Sequence, residues 1–432
     1  MNRALAAVAA LVLSSAPALA EPIPSAPPEE VGLSSARLGR IRQALRGEID
    51  AKKLAGAVVL VARKGRVAYF DAMGARDPAK EGGLGKDALF RLYSMTKPFV
   101  SVAALMLAEE GRIVLTDPVS RYLPAFARMQ VSVAKADGAG SKTNYEMVPA
   151  VSPPTIYDLL RHTSGLTYGT SSSNAPVKEA YAKRGLGRPD SLHSYRDLTP
   201  AEEVDAIAGA PLAHQPGRVW DYGLSTDVLG RVIETVSGKR LSEFLEARIF
   251  KPLQMTDTGF SVPKDQSGRL AEPFATDPAT GQASKPIDVL SVHKNDSGGA
   301  GAVSTASDYL RFCEMLLHGG ELDGVRLLSR SSVILMTSDH LGNLLEAGPT
   351  PGEQLLGVKG YTFGLGFAVR REDGLSALPG RAGEVTWGGG AGTYFFIDPQ
   401  EELIGILMTT AAGARIQYRK MFQQLVYAAI AD

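Results

Sequence analysis

The sequence predicts an α+β protein: an antiparallel sheet built from both chain ends and flanked by helices, with an inserted, mostly helical domain between. Three observations point there. Two apolar β-type runs lie side by side near the N-terminus, consecutive strand-like segments return only late in the chain, and the long stretch between them alternates short helical patterns with polar, Pro- and Gly-punctuated loops. A single sheet drawn from the two ends is the economical way to bury both sets of strands in one core.

The elements follow in order. Residues 1–20 (MNRALAAVAALVLSSAPALA) join a positive n-region at Arg3, an apolar stretch from Ala4 to Leu13, and small residues at Ala18 and Ala20. This is the pattern of a secretory signal peptide, with cleavage expected after Ala20; the apolar stretch is well short of the ~20 residues of a membrane-spanning helix. The mature chain is therefore expected to be periplasmic or secreted, with no stable membrane insertion. After a Pro-rich leader at 21–28, residues 34–53 carry an amphipathic helical pattern with Ser34 or Ser35 as N-cap. Residues 57–62 (AVVLVA) and 66–72 (RVAYFDA) form a hairpin pattern around Arg63-Lys64-Gly65. Residues 30–93 and 296–432 make up the expected sheet domain, and 94–295 the helical insertion. Inside the insertion, 95–110 reads as a helix stopped by Gly111, with shorter helical patterns at 156–161, 200–208, 225–236 and 241–250 and loop-like composition at 132–154 and 167–199. No β-rich run of comparable strength is expected there. Segments 363–370, 384–387, 393–397 and 403–408 read as consecutive antiparallel strands, and 416–431 as a closing helix.

Composition narrows the function. A chain of 432 residues with 44% hydrophobic and 21% charged residues is an ordinary globular one. Its 46 basic residues balance 46 acidic ones with no basic stripe, so a nucleic-acid partner is not expected. The six histidines are scattered without H-E-x-x-H or comparable ligand spacing, so neither a metal site nor a cofactor is expected. The single cysteine, Cys313, excludes an intramolecular disulfide; it sits in the helical pattern 308–318 and is expected to act as a small buried hydrophobe.

The chemistry starts at Ser94-Met95-Thr96-Lys97. S-x-x-K alone is weak, and it recurs at Ser132/Lys135, Ser261/Lys264 and Ser291/Lys294. Only Ser94 ends an apolar run (ALFRLY) and opens a long amphipathic helix. Residues three apart share a helix face, so the Lys97 amine can reach the Ser94 hydroxyl. A serine hydroxyl becomes nucleophilic only when a base takes its proton, and an amine can do so only if burial or nearby cations lower its pKa. Tyr222, in Pro216-Gly217-Arg218-Val219-Trp220-Asp221-Tyr222-Gly223, precedes a second helix and can present a phenol to the same cleft. A phenolate held between a lysine and a serine is a competent base. Trp387-Gly388-Gly389-Gly390 ends a strand, where side-chain-free positions let a substrate lie against the edge and a backbone N–H can face an oxyanion.

In this order the three segments resemble the serine β-lactamase and penicillin-binding-protein superfamily, and most closely the family VIII carboxylesterases, which are similar to class C β-lactamases. Leu159–Leu166 (LLRHTSGL), Tyr222–Glu234, Ser297–Tyr309 and Phe363–Phe367 (FGLGF) match the same texture, and the resemblance spans roughly residues 30 to 430. It implies a β-lactamase/transpeptidase-like fold and an acyl-enzyme on Ser94, with Lys97 and Tyr222 moving the proton and the backbone N–H groups of Ser94 and Gly390 forming the oxyanion hole. Two departures bear on substrate. The Tyr-x-Asn pattern of true β-lactamases here reads Tyr222-Gly223-Leu224, and their Lys-Thr-Gly reads Trp387-Gly388-Gly389. Both replace groups that would engage the amide and carboxylate of a β-lactam with an apolar wall. Leu224, Trp387, Gly388 and Gly389 are thus expected to bind a small, short-chain ester; a β-lactam, a peptidoglycan peptide, or an alcohol acceptor in acyl transfer are the alternatives.

Other signals are read as structural. His162, in His162-Thr163-Ser164-Gly165-Leu166, is expected to order the end of a helix rather than act as a base. The absence of G-x-S-x-G argues against an α/β-hydrolase triad. Gly298–Gly301 is expected to be a tight turn near the cleft.

Overall fold

The computed structural model describes residues 23–135, 143–186, 197–346 and 350–432; the segment 1–20 expected as a signal peptide lies outside the described residues, as do parts of the loops at 132–154 and 167–199. Its centre is a seven-stranded antiparallel sheet. The strands are β1 (Gly56–Arg63), β2 (Arg66–Gly74), β3 (Tyr361–Phe363), β4 (Ala368–Arg370), β5 (Val385–Gly388), β6 (Tyr394–Asp398) and β7 (Leu403–Thr409), in the spatial order β2-β1-β7-β6-β5-β4-β3. The join between the chain ends is the β1–β7 pair, in register at Leu60↔Ile406. The protein thus has the α+β class predicted, with a sheet drawn from both ends.

The sequence of β1 explains its central place. All eight residues are buried, so the strand reads as an unbroken apolar run rather than an alternation, as a strand covered on both faces must. One face is covered by α1 (Ser35–Asp50) and the C-terminal helix α5 (Arg415–Tyr427), the other by α4 (Ala306–Leu317). The hydroxyl of Ser34 accepts from the Arg37 N–H at 3.3 Å, which makes Ser34 the N-cap, and Leu38, Ile41 and Leu45 turn the helix's apolar stripe inward. Cys313 lies fully buried in α4, where burial pushes its thiol well above the usual range. Two more helices frame the candidate site: α2 (Lys97–Glu109), buried over most of its length, packs on α3 (Ser225–Ser237).

Two local expectations differ from the structure. Segment 363–370 is not one strand. The chain turns back at Gly364–Phe367, closed by the Gly364 N–H on the Phe367 carbonyl at 2.9 Å, with Gly366 at φ 113°. A side chain at Gly364 would strike the Met336 carbonyl at 2.3 Å, so the glycines serve a tight hairpin that the apolar pattern of FGLGF hides. The loop-like stretch 132–154 in turn contains most of a two-stranded ribbon, Gln130–Ala134 against Tyr145–Pro149. Most of its side chains face solvent, so its composition carries little β signal. No helix among the described residues is long and apolar enough to cross a membrane.

Candidate active site

Ser94 lies in a single 3-10 turn, Tyr93–Thr96, that leads directly into α2. In such a turn residues three apart eclipse, and the Lys97 ammonium comes within 3.3 Å of the Ser94 Oγ. The turn is entered through Tyr93, a bulky residue held at φ 47°, a conformation that costs about 1–3 kcal/mol and persists only where its surroundings impose it. The constraint is visible: the Tyr93 phenol accepts the Ile287 N–H at 3.1 Å. The chain is thereby bent so that Ser94 stands half-buried where strand gives way to helix.

Tyr222 reaches the same place from the loop before α3. Its ring lies 4.6 Å from the Lys97 Nζ, and its phenol oxygen accepts the Trp387 indole N–H at 3.2 Å. The loop is fixed from below by His162, whose Nδ1 accepts the Gly223 N–H at 3.4 Å and whose ring packs 4.7 Å from that of Tyr222. Burial holds the His162 imidazole neutral, its pKa far below the ordinary value, so the ring is a spacer and acceptor in the wall. Gly223 is a packing glycine: a Cβ there would sit 2.4 Å from the Thr167 backbone.

Lys97 is the hub, with no exposed surface. Besides Ser94 it donates to the Tyr168 phenol at 3.1 Å and the Gly299 carbonyl at 2.8 Å, which uses all three ammonium protons. The Gly299 carbonyl is itself held in place by Asp227, which accepts the Gly299 N–H at 3.0 Å and the Ser297 hydroxyl at 2.7 Å. Burial alone would favour the neutral amine. The electrostatic pull of Tyr168, Tyr222 and Asp227 outweighs it, and the net shift is upward. The condition under which Lys97 itself would be the base is therefore reversed: it is held as an ammonium beside the Ser94 hydroxyl and the Tyr222 ring.

The glycine run divides into two kinds of position. At Gly388 a Cβ would meet the Arg419 guanidinium at 2.7 Å, and at Gly389 the Leu92 carbonyl at 2.3 Å, so protein rather than substrate takes up the space at both. Gly390 is exposed, with only the Tyr93 ring, 3.7 Å away, near its missing side chain. Leu224 and Trp387 are each 2% exposed, and the Trp387 ring packs 5.2 Å from that of Tyr222. Sequence reasoning missed Tyr168, although it follows the His162–Leu166 motif by two residues; Gly298–Gly301 does form the turn beside the cleft. Among the described residues no group of three or more His, Cys, Asp or Glu is placed to hold a metal ion.

A serine, a buried ammonium and two phenols between an antiparallel sheet and a helical layer define a class: serine ester hydrolases of the β-lactamase/transpeptidase fold. A family model described as Beta-lactamase matches residues 41–428, and the chain belongs to that family. Among its relatives is Esterase EstB of Burkholderia gladioli, 32% identical over 377 residues, covering 84% of this chain and 87% of the esterase. The Lovastatin esterase of Penicillium rubens is 31% identical over 378 residues, covering 83% of this chain and 89% of that one. The solved structure described as "EstCE1, a hydrolase with promiscuous acyltransferase activity" superposes with a TM-score of 0.74 at 29% identity, over 91% of this chain and 99% of that one.

Proposed function

We propose that the protein hydrolyses small, short-chain carboxylic esters through a covalent acyl-enzyme on Ser94. The observation that carries the reading is the fully buried Lys97 ammonium, 3.3 Å from the Ser94 Oγ and 4.6 Å from the Tyr222 ring. In the first half-reaction the Tyr222 phenolate, stabilised by Lys97 and by the Trp387 N–H, takes the Ser94 proton as Oγ bonds to the ester carbonyl carbon. The carbonyl oxygen becomes an oxyanion facing the N–H groups of Ser94 and Gly390. Collapse breaks the C–O bond to the alcohol, which leaves with the proton from Tyr222. Water then enters along the same path and gives a proton to Tyr222 as its oxygen bonds to the acyl carbon; collapse breaks the bond to the Ser94 Oγ, which takes that proton back from Tyr222 as the acid leaves.

Leu224 and Trp387 bear on the substrate class. They supply no charge or amide to hold a β-lactam or a peptide carboxylate, and an apolar wall suits an uncharged ester. We expect kcat/KM for p-nitrophenyl butyrate to exceed that for nitrocefin by at least about 100-fold, since burying an amide and a carboxylate against partners that cannot pair with them costs about 1–3 kcal/mol or more for each group. A preference for nitrocefin would overturn the ester reading. Transfer of the acyl group to an alcohol instead of water is a second reading, favoured by the half-exposure of Ser94 and by the acyltransferase activity named for EstCE1. The sequence at 1–20 supports export as well: the mature protein, recovered from the periplasm or medium, is expected to begin at Glu21, and an intact mass that retains residues 1–20 would refute this.

A further inference from the structure

Behind the turn that carries Gly390 lies a buried cation. Arg419, on α5, is 2% exposed, and its guanidinium donates to the carbonyl oxygens of Leu355 at 3.1 Å, Thr393 at 3.3 Å, and Gly389. All three partners are neutral. The titratable groups that face it are Arg415 on the same helix, Tyr394 on β6, and Tyr222; none of them is a carboxylate. Burial, with some help from Arg415, draws the guanidinium down to about 9, which leaves it charged at neutral pH. A cation held in the interior on carbonyls alone carries a large desolvation cost. The fold nevertheless makes room for it, since Gly388 is the position whose side chain would collide with the guanidinium.

The contacts converge on one turn. The Gly389 N–H donates to the Thr393 carbonyl at 2.8 Å and the Gly392 N–H to the Gly389 carbonyl at 3.0 Å, and Arg419 grips both of those carbonyls from behind. The Gly389 carbonyl and the Gly390 N–H are the two ends of one peptide group. A charged donor on the oxygen pulls electron density away from the N–H at the other end and strengthens it as a donor, more so away from water.

We propose that Arg419 is a positioning residue of the oxyanion hole: it fixes and polarises the Gly389–Gly390 peptide, and the negative charge that develops at the Gly390 N–H gives the buried guanidinium its counter-charge. This rests on the reading of Gly390 as an oxyanion donor and deepens it. Because the ester is neutral and the tetrahedral species anionic, the benefit is differential and belongs in kcat rather than KM.

The test uses Arg419→Gln, which keeps an amide donor without charge, and Arg419→Lys, which keeps charge with fewer donors, both in the full chain. Two quantities are read: kcat and KM on p-nitrophenyl butyrate, and the affinity of an alkylboronic acid, which adds to a serine hydroxyl as a tetrahedral anion. For Arg419→Gln we expect kcat and boronic acid affinity to fall together by about 10- to 100-fold, somewhat less than deletion of an oxyanion donor, with KM within about twofold of the parent. Arg419→Lys should retain activity at neutral pH but lose it at a lower pH than the parent does, since burial removes the proton from an ammonium more readily than from a guanidinium. Unchanged boronic acid affinity in Arg419→Gln, or a loss seen in KM alone, overturns the proposal. Should Arg419→Gln fail to fold, the lysine variant decides, and a pH profile matching the parent's overturns it. Boronic acid binding to Ser94→Ala as tight as to the parent would instead refute the underlying site, a separate outcome.

Discussion

Ser94→Ala is expected to lower kcat/KM on a short-chain nitrophenyl ester by at least about 10⁴-fold, because the covalent path disappears and only binding and the oxyanion donors remain. The fold should survive. Ser94 is half-buried, alanine fits its space, and Lys97 keeps Tyr168 at 3.1 Å and the Gly299 carbonyl at 2.8 Å as acceptors. The lost hydrogen bond is worth about 1 kcal/mol, a shift of a few degrees at most in Tm. Labelling by a fluorophosphonate should vanish in step with turnover. Undiminished turnover, or labelling that persists on another residue, would remove Ser94 from the reaction.

Tyr222→Phe is expected to reduce kcat/KM by about 10²- to 10⁴-fold, the range for losing a positioned proton acceptor, with KM little changed. The ring remains, so its packing on His162 and its contact with Lys97 are kept; the phenol oxygen goes, and the Trp387 N–H loses an acceptor. That buried donor accounts for about 1–3 kcal/mol of stability, measurable separately as a fall in denaturant midpoint. Adding Tyr222→Phe to Ser94→Ala should cost nothing more in rate, since groups acting on one proton are not additive. The comparison that matters is Tyr168→Phe. Both phenols contact the same ammonium, but only Tyr222 also receives the indole N–H. If Tyr168→Phe were the more damaging, the base would be Tyr168 and the proposed role of Tyr222 would fall.

The order of the elements was legible because it rests on local chemistry. The apolar run at 57–62, the Lys64-Gly65 turn and the N-cap at Ser34 each act over a few residues, and each is found where the pattern places it. Where an expectation missed, the local signal was silent or misleading. The exposed ribbon from Gln130 to Pro149 buries too little to show a strand period, and the hairpin at Gly364–Phe367 hides within an apolar run. The spacing of Ser94 and Lys97 is another local fact, readable from any helix-forming segment.

What joins these pieces is not local. The parts played by Tyr168, Asp227 and Arg419 could not be read from the sequence, because each matters only through a contact made across the fold: to Lys97, to the Gly299 N–H, to the Gly389 carbonyl. The charge state of Lys97 belongs to the same category. Sequence shows an amine beside a hydroxyl; whether burial or the facing phenols and carboxylate win depends on distance and on how much water remains, and in the folded protein the phenols and carboxylate win. The sequence by itself thus determined the strands, the helices and which side chains bear chemistry, since covalent spacing and side-chain type suffice for that. Only the tertiary structure decided which of them meet and which way the Lys97 pKa moves, because electrostatic energy follows separation in space and local dielectric, not separation along the chain.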